Sequence, residues 1–231
     1  MVLAAGFGTR MQPLTLTRPK ALVEVAGRAL IDHALDRVAE ASVPRAVVNL
    51  HYLGDQIRAH LAGRHRPAVL FSEEAPAILE TGGGLQQAWP LLATSPVFAL
   101  NSDAIWAGPN PLSCLLAGWD GRTPRLLLLP RGRARSHAGP GDFFIDADGR
   151  LTRRGEAAAA PFVYTGAQII DREAFEGAPP GAFSLNPLWD RLIAQDRIRG
   201  CVYPGTWVDV GTPEGISTAE AALAEAAAQG G

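Results

Sequence analysis

The sequence predicts a three-layer α/β fold with a mainly parallel sheet. Short apolar runs alternate with segments of helical periodicity over the first 130 residues. The runs are apolar throughout, so each strand needs cover on both faces, which is typical of parallel strands between layers of helices. A glycine-rich turn directly follows the first run. This β-α-β-α-β order implies that ligands bind at the carboxyl ends of the strands.

The elements of this first half follow from residue spacing. Buried strands are expected at 2–5, 46–50, 68–71, 97–100 and 126–129. Apolar residues share one helix face at positions 30, 31, 34, 35, 38 and 41. Segments 54–61 and 84–92 have the same periodicity and predict two further helices.

The second half has a looser pattern. Segment 131–156 is rich in Arg, Gly and Asp. A strand, a helix and a strand are expected after it, at 162–170, 187–194 and 200–203. Thr212 as N-cap and Pro213 at the first helical position begin a last, alanine-rich helix.

Composition limits the function classes. With 47% hydrophobic residues and a net charge of −2, the chain can build a large core and lacks the basic surface that nucleic acid requires. It has neither a basic leader nor an apolar stretch of ~20 residues, so we expect no membrane partner. Cys114 and Cys201 lie in no CxxC motif, which favours reduced thiols and a cytoplasmic location over a zinc site. We expect one domain over residues 1–231, with halves 1–130 and 131–231, as a monomer or weak homo-oligomer.

Lysine usage indicates one functional residue. The chain has a single lysine, Lys20, against twenty arginines. An ammonium is a compact point charge that can reach one phosphate oxygen where a planar guanidinium would not fit. A biased genome could leave one lysine by chance. Because Lys20 follows a glycine-rich turn, we expect it to bind phosphate.

That turn contains Gly6, Gly8, Thr9 and Arg10. It is not a dinucleotide fingerprint, because Met11 occupies the third glycine position, and it lacks the Gly-Lys-Ser/Thr of a Walker loop. Its two glycines let successive backbone N–H groups form an anion-binding concavity, and an arginine can bind phosphate in bidentate fashion. A tight turn without a ligand explains the glycines equally well when they are taken alone.

Two aspartates stand at strand ends. Asp103 follows the run at 97–100, and Asp209 follows Trp207 and Val208 in a second short strand. Either aspartate taken singly could merely cap a turn or a helix. Together with Lys20 they predict a cluster that binds phosphate and Mg²⁺, because Mg²⁺ prefers hard oxygen ligands completed by phosphates and water.

Four segments carry a family resemblance. They are LAAGFGTRMQPLTLTRPKALVEVAGRALI at 3–31, LETGGG at 79–84, LNSD at 100–103 and WVDVGT at 207–212. In this order they resemble the signature segments of sugar-1-phosphate nucleotidylyltransferases. The resemblance implies a Rossmann-like sheet of the nucleotidyltransferase type, without a C-terminal β-helix. It also implies transfer of a nucleotidyl group to a sugar 1-phosphate, with residues 1–130 binding the nucleotide and 131–231 the sugar.

A finer resemblance concerns the substrates. The short length, the LETGGG form and the segments 141–143 and 164–166 are similar to members that uridylylate N-acetylmuramic acid α-1-phosphate in cell-wall recycling. This implies UTP as donor, UDP-N-acetylmuramic acid and pyrophosphate as products, and Mg²⁺ as cofactor. Another sugar or heptose 1-phosphate, GTP as donor, and a non-catalytic sugar-nucleotide sensor are the alternatives. Retention of Lys20, Asp103 and Asp209 argues against the last.

The resemblance also assigns site residues. Lys20, Arg10, Asp103 and Asp209 are the expected catalytic residues, and the two aspartates are the expected metal ligands. The expected nucleotide-binding residues are Ala4, Ala5, Gly6, Gly8, Thr9, Arg10, Glu74, Glu80, Thr81, Gly82 and Gly83. The expected sugar contacts are Asn101, Gly141, Asp142, Thr165 and Gly166. Glu74 or Glu80 would accept the uracil N3–H, glycines 82 to 84 would admit the nucleoside, and Asp142 could equally cap a loop.

The chain departs from the family at one position. Many relatives carry Glu-Lys-Pro before the sugar-binding strand, where the lysine contacts the sugar phosphate, whereas this chain reads Arg-Arg-Gly-Glu-Ala at 153–157. An arginine would then bind the substrate, and the candidates are Arg131, Arg133, Arg135, Arg153 and Arg154. The lactyl carboxylate of muramic acid would offer an arginine a planar anion. The five histidines show no metal-ligand spacing.

Overall fold

A nine-stranded sheet forms the centre of the computed structural model, which describes residues 1–229. The strands are β1 (Val2–Leu3), β2 (Glu24–Val25), β3 (Arg28–Ala29), β4 (Arg45–Leu50), β5 (Ala68–Glu73), β6 (Val97–Asn101), β7 (Ala104–Ala107), β8 (Arg125–Pro130), β9 (Ala134–Arg135), β10 (Phe143–Ile145), β11 (Leu151–Arg153), β12 (Phe162–Ile170), β13 (Arg199–Val202) and β14 (Thr206–Asp209). The helices are α1 (Leu30–Glu40), α2 (Gly54–Leu61), α3 (Glu80–Ala88), α4 (Pro111–Leu116), α5 (Asn186–Ala194) and α6 (Glu214–Gln229).

The first half of the chain builds four parallel strands in the order β5-β4-β1-β6. β1 lies between β4 and β6, so Val2 pairs with Val48 on one side and with Leu100 on the other. Both faces of these strands are covered, as their apolar composition requires. The predicted α/β fold class is therefore confirmed, and the carboxyl ends of β1, β4 and β6 meet at one edge.

The second half extends the same sheet with antiparallel strands. β12 pairs with β6, with Ala167 opposite Leu100, and it also pairs with β8 and β10. β13 then adds to β8 in parallel orientation. A smaller sheet contains β7, β14 and β9. The sequence analysis did not predict β7, because only Ser102 and Asp103 separate it from β6.

Helices cover the large sheet on both faces, which makes the three layers. On one face α1, α2 and α4 bury residues such as Leu35, Ile57 and Leu112. On the other face α3 and α5 bury Leu85 and Leu188. A third cluster joins α6 to the smaller sheet. In residues 1–229 no helix combines the length and apolarity that a membrane crossing needs.

Most element boundaries agree with the prediction to within two residues: β1 ends at Leu3 and not at residue 5, and α6 begins at Glu214, one residue after the expected first helical position at Pro213. The boundaries of one helix differ more. The helix expected at 84–92 is α3, which begins at Glu80. Its first turns contain Gly82, Gly83 and Gly84, which carry no helical periodicity in the sequence. Both cysteines are free, and burial raises the pKa of the Cys201 thiol to about 11.

Candidate active site

A cavity of about 190 Å³ opens at the shared carboxyl edge of β1, β4 and β6. Its lining includes eight of the predicted site residues: Ala4, Ala5, Gly6, Lys20, Glu80, Thr81, Asn101 and Asp103. The sequence analysis did not single out the remaining lining residues, which are Leu3, Ala21, Asn49, Ile78 and Ser102. Of these, Asn49 lies near the carboxyl end of β4, so the strand-end reasoning used for Asp103 could have identified it.

The glycine-rich turn is held against Lys20. Gly8 has a positive φ of 64°, and a Cβ at this position would stand 2.8 Å from the Lys20 Cβ. Its carbonyl oxygen accepts a hydrogen bond of 2.8 Å from Thr15 Oγ1, and Thr15 is buried. Gly8 is therefore required both for the backbone conformation and for the close approach of Lys20.

Lys20 forms an ion pair with Asp103. The distance from Lys20 Nζ to Asp103 Oδ2 is 2.6 Å, and the side chains are 13% and 32% exposed. Partial burial limits solvent screening of this pair. The only lysine side chain of the protein thus lies at the carboxyl end of a central strand, beside Asp103.

Asp209 lies beside Asp103 through strand pairing. Asp209 pairs with Ala104, and the N–H of Val210 donates to the Asp103 carbonyl oxygen at 3.0 Å. Arg10 Nη2 and Asp209 Oδ1 both lie 3.0 Å from the point where a Cβ on Gly211 would stand. Each carboxylate therefore has a cationic side chain from the N-terminal segment close to it.

His137 also belongs to this cluster, although no motif or spacing in the sequence indicates it. Its Nδ1 lies 3.4 Å from Asp209 Oδ2, and its ring packs near Trp207. The hydrogen bond to the Asp209 carboxylate raises the pKa of His137, while desolvation opposes the shift. The pairing of β9 with β14 places His137 here, and local spacing cannot reveal a contact between residues so distant in sequence.

The glycines of the LETGGG segment correct one expectation. The backbone N–H groups of Gly82 and Gly83 both donate to the Phe183 carbonyl oxygen, at 2.8 and 3.0 Å. A Cβ on Gly82 would collide with the Phe183 side chain, and one on Gly83 would collide with the Gly181 carbonyl oxygen. The space beside these two glycines is thus filled by protein, so their missing side chains allow packing rather than nucleoside entry.

Glu74 also differs from its expected role. It is only 2% exposed, its Oε1 accepts from Asn49 Nδ2 at 2.6 Å, and its Oε2 accepts from the Leu79 N–H at 2.7 Å. Both oxygens already have donors, which leaves Glu80 as the residue of the pair that faces the cavity. Glu80 has a φ of 58°, which is unusual for a residue with a side chain and is often found at functional sites.

The predicted sugar contacts divide into two groups. Asn101 and Gly166 pack against each other, whereas Asp142 and Thr165 make hydrogen bonds within the protein. Gly166, with a φ of 82°, packs against the Asn101 side chain, and a Cβ there would lie 3.0 Å from Asn101 Cβ. Asp142 Oδ2 accepts from the Tyr164 N–H at 2.8 Å, so it does cap the neighbouring strand. Thr165 is completely buried and its Oγ1 donates to the Leu127 carbonyl oxygen, which removes its hydroxyl from the cavity.

Two of the five candidate arginines pair with carboxylates, and a third bonds to backbone carbonyl oxygens. Arg153 pairs with Asp190 at 2.6 Å, Arg135 pairs with Glu225 at 2.8 Å, and Arg133 donates to two backbone carbonyl oxygens. Neither Arg131 nor Arg154 has a carboxylate partner in residues 1–229.

Arg154 differs from Arg131 because it contacts the predicted sugar loop. Its Nε donates to the Gly141 carbonyl oxygen at 3.2 Å, and its Nη1 donates to the Ala157 carbonyl oxygen at 3.0 Å, so Arg154, like Arg133, bonds to backbone carbonyl oxygens and to no carboxylate in residues 1–229. Its backbone N–H donates to the Asp142 carbonyl oxygen at 2.9 Å. Phe143 pairs with Arg153, so Asp142 and Arg154 follow as neighbours on the opposite face of the two strands. Arg154 is therefore the candidate cation on the Asp142 face.

Known proteins resemble this chain in sequence and in fold. Residues 1–168 match the model of the MobA-like NTP transferase domain. An N-acetylmuramate alpha-1-phosphate uridylyltransferase from Caulobacter vibrioides is 46% identical over 98% of this chain and 97% of that protein. A protein of the same name from Neisseria meningitidis is 32% identical over 96% of each chain. The structure of the inositol-1-phosphate CTP transferase from T. maritima shares the fold, with a TM-score of 0.77, 16% identity, and coverage of 97% of this chain and 94% of that one.

The contact between His137 and Asp209 predicts a histidine titration. In metal-free protein the His137 midpoint should lie above the ordinary value of about 6.5, because Asp209 stabilises the charged ring. In Asp209→Asn the desolvation remains and the carboxylate is lost, so the midpoint should fall below that value. NMR titration of the imidazole resonances measures both, and a His137→Gln variant assigns the signal. Equal midpoints in wild-type and Asp209→Asn protein would contradict the contact.

Proposed function

The chain belongs to the family of MobA-like NTP transferase domains, and from this premise we propose that it uridylylates a sugar 1-phosphate. The proposed donor is UTP, the proposed acceptor is N-acetylmuramic acid α-1-phosphate, and the products are UDP-N-acetylmuramic acid and pyrophosphate. The identity of 46% along nearly the whole chain supports this choice of substrates. A role in cell-wall recycling is part of the same proposal.

The observation that carries the proposal is the charge arrangement at the cavity. A sugar-phosphate oxygen attacks the α-phosphorus of UTP, the bond to the β-phosphate oxygen breaks, and pyrophosphate leaves. Two polyanions must meet for this, so catalysis depends on positioning and charge neutralisation. Lys20 supplies a cation and Asp103 a carboxylate in the cavity lining, and Arg10 and Asp209 supply a second cation and carboxylate at the end of β14, in the smaller sheet.

The N-terminal segment supplies the phosphate-binding groups. In this proposal the turn from Gly6 to Arg10 binds the β- and γ-phosphates, with Arg10 as a bidentate cation. Lys20 neutralises charge at the α-phosphate, because its ammonium is directed to the cavity by Gly8 and Asp103. As the α-phosphorus is attacked, a fixed cation at this point stabilises the developing charge.

The two carboxylates are suitable ligands for Mg²⁺, but they need substrate phosphates and water to complete its coordination. In residues 1–229 no cluster of three or more His, Cys, Asp or Glu side chains could hold a metal. Asp103 and Asp209 would therefore hold Mg²⁺ together with substrate phosphates and water, which suits its octahedral preference. When bound, Mg²⁺ neutralises phosphate charge. The His137 ring contacts Asp209 Oδ2, which limits the orientations of that carboxylate.

Nucleoside and sugar recognition complete the proposal. Ala4, Ala5 and Thr81 line the cavity, and Glu80 is the proposed acceptor for the uracil N3–H. Asn101, Gly141, Asp142 and Gly166 are the proposed sugar contacts. Arg154 is the proposed partner of the lactyl carboxylate, since it binds the Gly141 carbonyl oxygen and has no acidic partner in the described chain.

A pyrophosphate-release screen tests the proposed reaction. Purified protein is incubated with each of four nucleoside triphosphates and a panel of sugar and heptose 1-phosphates, with Mg²⁺. We expect the highest kcat/KM for UTP with N-acetylmuramic acid α-1-phosphate. A preference for GTP or for another sugar phosphate would contradict the proposed substrates but not the nucleotidyltransferase activity. Absence of pyrophosphate with every pair, while nucleotide still binds, would favour a sugar-nucleotide sensor.

Removing either carboxylate should abolish most of the activity. Asp103→Asn and Asp209→Asn keep the side-chain shape but lose the charge that holds Mg²⁺, so kcat should fall by about 10²- to 10³-fold. Steady-state turnover at saturating Mg²⁺ measures the loss, and circular dichroism checks the fold. Asp148→Asn is the control, because that side chain is 74% exposed and pairs only with Arg150. A near-normal kcat in Asp103→Asn or Asp209→Asn would remove that residue from the site.

Arg154 should determine discrimination between sugars. Wild-type protein should prefer N-acetylmuramic acid α-1-phosphate over N-acetylglucosamine 1-phosphate, and Arg154→Gln should lose about tenfold to a hundredfold of that preference. The measurement is the ratio of the two kcat/KM values. Arg153→Gln is the matched control, because its guanidinium is held by Asp190. An unchanged ratio in Arg154→Gln would assign the lactyl group to another residue.

A further inference from the structure

We propose that Glu74 and Asn49 form a buried polar bridge that positions the nucleoside-binding segment against the phosphate-binding strand. The proposal rests on nucleotide binding at the cavity, as put forward above. In it, Glu74 contacts no substrate and acts through the backbone groups that it holds. Asn49 links Glu74 to β1 and itself lines the cavity.

Three hydrogen bonds in series form the bridge. The Ala4 N–H donates to Asn49 Oδ1 at 2.7 Å, Asn49 Nδ2 donates to Glu74 Oε1 at 2.6 Å, and the Leu79 N–H donates to Glu74 Oε2 at 2.7 Å. Asn49 is 3% exposed and Glu74 is 2% exposed. The bridge therefore connects two walls of the cavity across the ends of β1, β4 and β5.

The two groups at the ends of the bridge determine the direction of each hydrogen bond in it. Both ends are backbone N–H groups, which can only donate. Asn49 must therefore direct its oxygen to Ala4 and its amino group to Glu74. Glu74 must then accept twice, once from Asn49 and once from Leu79. A carboxylate provides two acceptor oxygens, whereas a glutamine would place an NH₂ group against one of these donors.

The surroundings of the bridge accommodate the buried Glu74 carboxylate without an ion pair in residues 1–229. No lysine or arginine side chain in residues 1–229 bonds to Glu74, although an unpaired buried carboxylate is costly. Gly84 makes room for it, because a Cβ there would collide with Glu74 Oε1 and stand 3.0 Å from Asn49 Nδ2. The residue after Leu79 is Glu80, whose φ of 58° needs support from its neighbours.

The position of the bridge explains what it controls. Ala4, at one end, lines the cavity beside the phosphate turn, and Glu80 and Thr81 line it immediately after Leu79. A shift of Leu79 would move the proposed uracil acceptor relative to the phosphate site. Of the proposed sugar contacts, Gly166 lies on β12, Gly141 and Asp142 precede β10, and Asn101 ends β6; none of them bonds to Asn49 or Glu74 in the described residues. Loss of the bridge should therefore weaken UTP binding and leave sugar-phosphate binding nearly unchanged.

An exchange of the two polar groups tests the proposal. Glu74→Gln alone sets two NH₂ groups against each other, and Asn49→Asp alone sets two carboxylates against each other. The double variant Asn49→Asp/Glu74→Gln satisfies all three bonds again, with only the middle bond reversed and the net charge unchanged. We expect each single variant to raise the KM for UTP by about tenfold or more, and the double variant to restore it to within about threefold.

The readouts separate positioning from a general loss of structure. Steady-state kinetics give KM for UTP and for the sugar phosphate separately, and calorimetry gives UTP affinity without turnover. A merely structural role would lower Tm and the active fraction but leave the KM for UTP unchanged. Glu73→Gln is the matched control, because this neighbouring carboxylate is 57% exposed and pairs with Arg58. Should one single variant fail to fold, the other and the double variant carry the comparison.

Two results would overturn the proposal while leaving the proposed function intact. One is an unchanged KM for UTP in the single variants, and the other is a double variant no better than Glu74→Gln. Wild-type protein that binds no nucleoside triphosphate would instead overturn the proposed function, and the positioning role with it.

Discussion

The Lys20–Asp103 ion pair is the contact on which the rest of the site depends. It joins the N-terminal segment to the end of β6, and its formation requires a glycine at position 8. Strand pairing then places Asp209 beside Asp103, and Arg10 and His137 lie around Asp209. Lys20 and Arg10 thus lie close to two carboxylates, one after β6 of the large sheet and one at the end of β14 in the smaller sheet. In the proposed reaction this cluster binds the phosphates of both substrates together with Mg²⁺.

Short sequence patterns predict the elements and site residues whose structure depends mainly on residues nearby in the sequence. Apolar runs and helical periodicity located the strands of the parallel half and helix α2, and the strand-end rule identified Asp103 and Asp209. Lys20 was recognised because it is the only lysine. These signals act over a few residues, so they do not depend on how the second half folds.

Contacts between distant segments explain what the sequence could not predict. His137 reaches Asp209 only because β9 pairs with β14. Gly82 and Gly83 have the composition of a ligand loop, but the loop at 181–183 occupies the space beside them. By resemblance Glu74 is one of two possible acceptors for the uracil N3–H, yet its two oxygens already accept from the Asn49 side chain and from the Leu79 N–H. In each case the deciding partner comes from a segment whose position depends on the complete tertiary structure.

Chemical modification of Lys20 tests the central claim most directly, because the chain contains no other lysine. An amine-selective acylating reagent is applied with and without UTP and Mg²⁺, and mass spectrometry quantifies the Lys20 peptide beside the residual activity. If the Lys20 ammonium neutralises the α-phosphate, inactivation should follow Lys20 acylation, and UTP with Mg²⁺ should protect both. Acylation of Lys20 at an unchanged rate in protein saturated with UTP and Mg²⁺, or full activity after its acylation, would contradict the account.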